Sequence, residues 1–181
     1  MMHRLFVAID FPQEIIKKLT SLCFGVPGAG WTPEEQLHLT LRFIGEVDGV
    51  LFKEIKEDLK NVEGNSFSMR LKGLGHFPPR KAPRVLWAGI ETNDTLVQLR
   101  NRVNSVLVRL GLEPEHRKYS PHVTIARLKN TPITKVTDFL AVNGLFIAGP
   151  FEVSKFSLYS SILTQKGATH NIEASYDLNR T

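Results

Sequence analysis

His-Leu-Thr-Leu at 38–41 and His-Val-Thr-Ile at 122–125 repeat one pattern, His-apolar-Thr-apolar, once in each half of the chain. Both copies sit in stretches that alternate like half-buried strands, LHLTLRFI at 37–44 and HVTIARL at 122–128. Successive side chains of a strand point to opposite faces. His38 and Thr40 therefore share one face, with Leu39 and Leu41 on the other; His122 and Thr124 stand opposite Val123 and Ile125 in the same way. Each strand has an apolar back for a core and a His/Thr front for a cleft. By the same parity Arg42 falls on the His38 face, placed for a phosphate or for an ion pair with a nearby acid. Arg127 falls on the face opposite His122 unless the strand ends or bulges before it.

Cleaving a phosphodiester requires removing a proton from the nucleophile and delivering one to the leaving oxygen. Imidazole titrates near neutrality and does either. Two imidazoles on opposite sides of one phosphorus act in line, and a threonine hydroxyl beside each can donate to a non-bridging oxygen as charge develops there. This chemistry calls for no metal and no nucleotide cofactor. Neither motif offers a His-x-His or His-x-x-x-His spacing or a nearby carboxylate cluster, and GVPGAG at 25–30 lacks the Lys-Ser/Thr of a phosphate-binding loop.

Outward from the motifs, RLFVAID at 4–10 reads as a buried strand. Pro12 and Gln13 open a helix carrying Ile15, Ile16, Leu19 and Leu22, with Cys23 in the same apolar pattern; 25–31 reads as a loop. Residues 50–59 are helical, 67–74 and 85–90 are strands, and GHFPPRKAPR at 75–84 is an exposed basic loop or turn. Leu96, Leu99, Val103, Val106, Leu107 and Leu110 mark an amphipathic helix ended by Gly111. A polar loop at 113–121 precedes the second motif, a short helix follows at 133–140, and 151–163 and 169–178 read as two closing strands. Helices interleave with strands that need antiparallel returns, so the expected class is α+β.

The 181 residues fit one domain, or two small lobes sharing a core. The net charge of +5 suits a polyanionic partner as well as simple solubility. A single cysteine, Cys23, rules out an intramolecular disulfide and a Cys-based zinc site. No apolar run approaches the roughly 20 residues of a membrane helix, and MMHRLFVAID has no signal-peptide pattern. The expectation is a cytoplasmic protein, monomeric, with no membrane association and no obligate protein partner.

At these residues the chain resembles the two-histidine phosphoesterase superfamily and, within it, the RNA 2′,3′-cyclic phosphodiesterases, which are also called 2′-5′ RNA ligase-like. RLFVAID at 4–10, HLTLRFIGEV at 38–47, PRVLWAGI at 83–90, SPHVTIAR at 120–127 and FSLYSSIL at 156–163 carry the resemblance over nearly the whole chain. It implies a bilobal, pseudo-symmetric fold with antiparallel sheets around a central cleft, residues 1–181 forming a single domain of two intertwined lobes. It also implies metal-independent hydrolysis of a terminal 2′,3′-cyclic phosphate to a 2′-phosphate, with reverse 2′-5′ ligation as a minor activity. By analogy His38 is the acid that protonates O3′ and His122 the base that activates water, though the sequence alone does not fix the order. Thr40, Thr124 and Arg127 are implied phosphate contacts and Phe43 a nucleobase contact; Val7 stands where some relatives place an aromatic. RNA ends or small cyclic nucleotides are the implied partners.

Two other readings stay open on the residues alone: a non-catalytic RNA-binding module using the same basic cleft, and a phosphoesterase for another small cyclic or 2′-5′-linked nucleotide. Arg117, Lys118 and Tyr119 lead into the second motif and are candidates to line the cleft. The loop with His76, Phe77, Arg80, Lys81 and Arg84 is a solvated turn or an RNA-backbone contact. His3, His116 and His170 have no repeated context and read mostly as exposed or structural.

Overall fold

In a computed structural model that describes residues 1–180, the chain runs β1 (Met2–Asp10), α1 (Gln13–Thr20), β2 (Ala29–Trp31), β3 (His38–Asp48), α2 (Gly49–Asp58), β4 (Phe67–Phe77) and β5 (Val85–Ile90). It continues through α3 (Asp94–Arg109), β6 (His122–Leu128), α4 (Ile133–Asn143), β7 (Ile147–Val153), β8 (Lys155–Thr164) and β9 (Gly167–Asp177). The strands form two antiparallel sheets, in the orders β3-β1-β8-β9 and β2-β6-β5-β4-β7. The class is α+β and the architecture bilobal and pseudo-symmetric. In each sheet a motif strand lies beside the strand that precedes it by one helix, β3 beside β1 and β6 beside β5.

The chain crosses between the sheets. β4 follows β3 yet joins the sheet of β6, and β8 follows β7 yet joins the sheet of β3. The helices cross as well: α1, which links β1 toward β3, packs on β7, and α3, which links β5 toward β6, packs on β3. One continuous apolar cluster joins the backs of both sheets. It includes Leu5, Val7, Ile9, Leu39 and Leu41 from one sheet and Leu71, Leu86, Val123 and Ile125 from the other. α3 shows why such a helix forms where it does. The Asn93 side chain accepts from Leu96 N at 3.0 Å, capping the first turn. Leu96, Leu99, Val103, Val106 and Leu107 are buried along one stripe, each worth roughly 1.5–3 kcal/mol of transfer free energy. Gly111 takes φ +91° just past the helix end, the left-handed position glycine fills at least cost.

Several elements depart from the sequence reading. Ala29–Trp31, read as loop, pairs with β6. α1 ends at Thr20, so Leu22 and half-buried Cys23 belong to the turn after it. The basic loop is shorter than 75–84, because β4 continues to Phe77. The apolar run 151–163 is two strands, parted at Ser154, in different sheets. Among the described residues, no helix is long and apolar enough to cross a membrane.

Candidate active site

His38 and His122 are each the first residue of their strand. In both strands the pairing then skips one residue. Ala8 faces Thr40 but Val7 faces Arg42, leaving Leu41 unmatched. Trp87 faces Thr124 but Leu86 faces Ala126, leaving Ile125 unmatched. Such a bulge reverses the alternation beyond it. Leu41 and Arg42 are consecutively buried, as are Ile125 and Ala126, and the next residues, Phe43 and Arg127, are exposed on the histidine face. The two half-sites thus read His38, Thr40, Phe43 and His122, Thr124, Arg127. The parity reading of Arg42 is corrected: the bulge turns it away from His38, and its guanidinium bonds to Glu113 O and lies 3.8 Å from Glu115. For Arg127, the bulge that would bring it back to the His122 face is present.

Both imidazoles are held alike. His38 Nδ1 lies 2.6 Å from Gln36 O, and His122 Nδ1 lies 2.8 Å from Ser120 O. A carbonyl only accepts, so each Nδ1 carries the hydrogen and donates, which leaves each Nε2 as the free nitrogen. The two rings are near enough for a charge on His122 to lower the pKa of His38. Burial is the larger effect and pushes His38 down to about 4, helped by His170 and opposed by the Gln36 hydrogen bond and the Asp10 carboxylate. Among these protein neighbours His38 is therefore neutral at pH 7.

The two walls of the cleft differ in kind. On the His38 side Phe6, Ala8 and Tyr159 form a cluster separate from the main core. Phe6 stacks on Tyr159 with centroids 5.0 Å apart and lies 4.9 Å from His38. The Tyr159 hydroxyl donates to Asp10, the cross-strand partner of His38. His170, read from sequence as exposed or structural, stands edge-on to His38 at 5.4 Å and to Phe6 at 5.0 Å, and burial lowers its pKa too. Val7 points into the core, and Phe6 is the aromatic that this strand turns to the cleft.

On the His122 side Phe77 meets His122 edge-on at 5.0 Å and lies 5.4 Å from Trp87. Trp87 covers Gly75, where an added Cβ would come within 2.2 Å of the indole. Val85 pairs with Arg127, and Arg84 O accepts from Leu128 N at 2.8 Å, so the exposed cations Arg80, Lys81 and Arg84 sit at the Arg127 end of this wall. Among the described residues none of these four cations has a carboxylate within ion-pair distance. Arg117 and Lys118 are exposed, whereas Tyr119 is half-buried and bonded to main chain.

Phe6 was within reach of sequence reasoning, since alternation along 4–10 places it with Ala8 and Asp10 opposite Leu5, Val7 and Ile9. His170 and Tyr159 were not, because only the register of β8 on β1 and β9 brings them to His38.

Two sheets whose His-x-Thr strands present matched imidazoles to one cleft define a phosphoesterase of the two-histidine class. The chain belongs to the LigT-like phosphoesterase family, whose model matches residues 9–87 and 90–170, one stretch around each motif. It is 38% identical over 180 residues to the RNA 2′,3′-cyclic phosphodiesterase of Thermotoga maritima, covering 93% of this chain and 92% of that one. It is 35% identical over 167 residues to the protein of the same name from Archaeoglobus fulgidus, covering 91% and 94%. Among solved structures, apo LigT of E. coli has the same fold, with a TM-score of 0.80 over 98% of both chains at 24% identity.

Proposed function

We propose that the protein hydrolyses the 2′,3′-cyclic phosphate at an RNA 3′ end to a 2′-phosphate, with His122 as base and His38 as acid. The observation that carries this reading is the pair of matched half-sites, each with its Nδ1 hydrogen committed to a carbonyl and its Nε2 free. In the proposed step His122 Nε2 takes a proton from water as the water oxygen attacks phosphorus. The P–O3′ bond breaks, and O3′ leaves with the proton held on His38 Nε2. Thr40 and Thr124 donate to the non-bridging oxygens, and Arg127 adds a charged fork of donors. Phe43 offers a ring beside Phe6, 6.1 Å between centroids, for the terminal base. Because the protein's own groups leave His38 neutral, the negative charge of the entering phosphate is what holds the imidazolium there. Ligation is the same step with the oxygen of a 5′-hydroxyl attacking phosphorus in place of water, O3′ leaving as before.

The chain acts in this reading as a cytoplasmic monomer on RNA ends or small cyclic nucleotides. Its continuous core and crossed helices support one domain of two intertwined lobes. The test is an RNA oligonucleotide ending in a 2′,3′-cyclic phosphate, incubated in excess EDTA and analysed for a 2′-phosphate product. His38→Ala and His122→Ala should each lower kcat by about 10²- to 10⁴-fold. Full activity in either variant refutes the mechanism. RNA binding that survives both substitutions, with no turnover by the wild type, supports a binding module instead.

A further inference from the structure

The crossing of chain between the two sheets recurs at the scale of single hydrogen bonds where the motif strands meet. β3 and β6 lie against one another at the junction of the sheets. β3 is the outer strand of its sheet, and β6 is covered on its outer side by only the three residues of β2. Each motif strand therefore carries main-chain carbonyls beside its threonine that no ladder partner reaches.

A hydroxyl from the opposite half of the chain takes the carbonyl of each threonine. Thr32, on the segment that leads into His38, donates its Oγ1 hydrogen to Thr124 O at 2.9 Å, and its N–H to Ile125 O at 2.9 Å. Tyr119, on the segment that leads into His122, donates its hydroxyl to Thr40 O at 3.0 Å. Each lead-in thus holds the other motif at its threonine, beside the unmatched bulge residue. Tyr119 is itself fixed, its ring 5.2 Å from the Arg100 guanidinium, and burial raises its pKa so that it remains a donor. The inward-turned Arg42 grips the same lead-in farther back, at Glu113 O and Glu115.

We propose that Thr32 and Tyr119 are positioning residues, a reciprocal brace that sets the gap between the His38 and His122 imidazoles. The proposal rests on the two-histidine reading. An acid and a base that must straddle one phosphorus in line tolerate little displacement; a shift of about 1 Å can cost about 10²-fold in rate. Each braced carbonyl belongs to the threonine two residues beyond a catalytic imidazole and directly before its bulge, so slack there moves the imidazole relative to its partner. Hydroxyls that merely satisfied edge carbonyls would affect stability and leave the rate per folded molecule alone.

Thr32→Val and Tyr119→Phe each delete one hydroxyl at nearly constant shape, and Thr32→Ser restores the donor. With the cyclic-phosphate oligonucleotide as substrate, each deletion should lower kcat by about tenfold or more at nearly unchanged KM, and Thr32→Ser should recover most of it. Melting curves establish that the variants are folded at the assay temperature. A kcat within about twofold of wild type in both deletions, or a loss that follows melting temperature and is not relieved by serine, overturns the brace. Retained activity in His38→Ala and His122→Ala would instead overturn the two-histidine reading beneath it.

Discussion

Protonation of His38 on substrate binding is open to direct measurement. Burial, with His170 and His122 nearby, pushes this imidazole down to about 4. Charging it at pH 7 spans about three pH units, or about 4 kcal/mol at about 1.4 kcal/mol per unit. A 2′,3′-cyclic phosphodiester carries one negative charge throughout the neutral range and does not titrate there itself. At about 4 Å, in a site of effective dielectric about 20, that charge favours the imidazolium by about 4 kcal/mol. The two quantities balance, so binding should lift His38 to near neutrality and draw one proton from solvent.

The sign follows from linkage: the complex binds more protons than the free protein between the two pKa values, so affinity falls as pH rises through that window. The fall approaches tenfold per unit in mid-window and flattens toward each pKa, so it is about 50-fold from pH 5 to pH 7. The assay is calorimetric binding of a short RNA with a 2′,3′-cyclic end to His122→Ala, which keeps His38 and lacks the base. Buffers of different ionisation enthalpy count the proton taken up. Adding His38→Gln should flatten the dependence, which separates His38 from neighbouring His170. An affinity constant from pH 5 to 8 with no proton uptake in His122→Ala would refute the charging argument, and with it the assignment of His38 as the acid.

Two further outcomes follow from the cleft walls. Arg127→Ala should lower kcat/KM by about 10²- to 10³-fold, and Arg127→Lys should recover only part because it lacks the planar fork; steady-state kinetics measures both, and an unchanged kcat/KM would return Arg127 to an ordinary surface role. Replacing Arg80, Lys81 and Arg84 together with alanine should reduce the slope of log affinity against log salt by about 0.7 for each phosphate of single-stranded RNA that they neutralise. Fluorescence anisotropy measures it, and an identical slope would mean that the loop is only solvated.

The two His/Thr fronts were legible because period-two alternation holds from His38 to Thr40 and from His122 to Thr124. It fails one residue later in each strand. An unmatched Leu41 or Ile125 leaves no mark in a run of apolar residues, so the faces of Arg42, Phe43 and Arg127 depend on pairing that only the folded sheet defines. The α+β class could be read from the interleaving of helical and strand patterns, whereas the exchange of β4 and β8 between sheets could not. A hydrophobic strand pattern says that a strand has a buried face, and nothing about which sheet buries it. Residues 151–163 show the limit, since the break at Ser154 divides what looks like one strand between the two lobes. His170 reaches the site through cross-strand neighbours of Phe6, a relation set by register and not by spacing along the chain.

The matched bulges give each half of the molecule one outward side chain with no duty to the core. The flanking positions are committed: Leu41, Arg42, Ile125 and Ala126 are buried, and in the proposed reaction the histidines and threonines answer to the phosphorus. Phe43, 68% exposed, answers to neither constraint, and Arg127, free of the core, answers in the proposed reaction to the phosphate alone. A bound nucleotide is lopsided, with a base on one flank of its phosphate and further backbone on the other. A twofold frame meets that asymmetry most cheaply at these two places, with a ring in one half and a guanidinium in the other. In the proposed reading, preference for the terminal base can therefore drift at 43 while the strands, Arg127 and the distance between the imidazoles stay as they are.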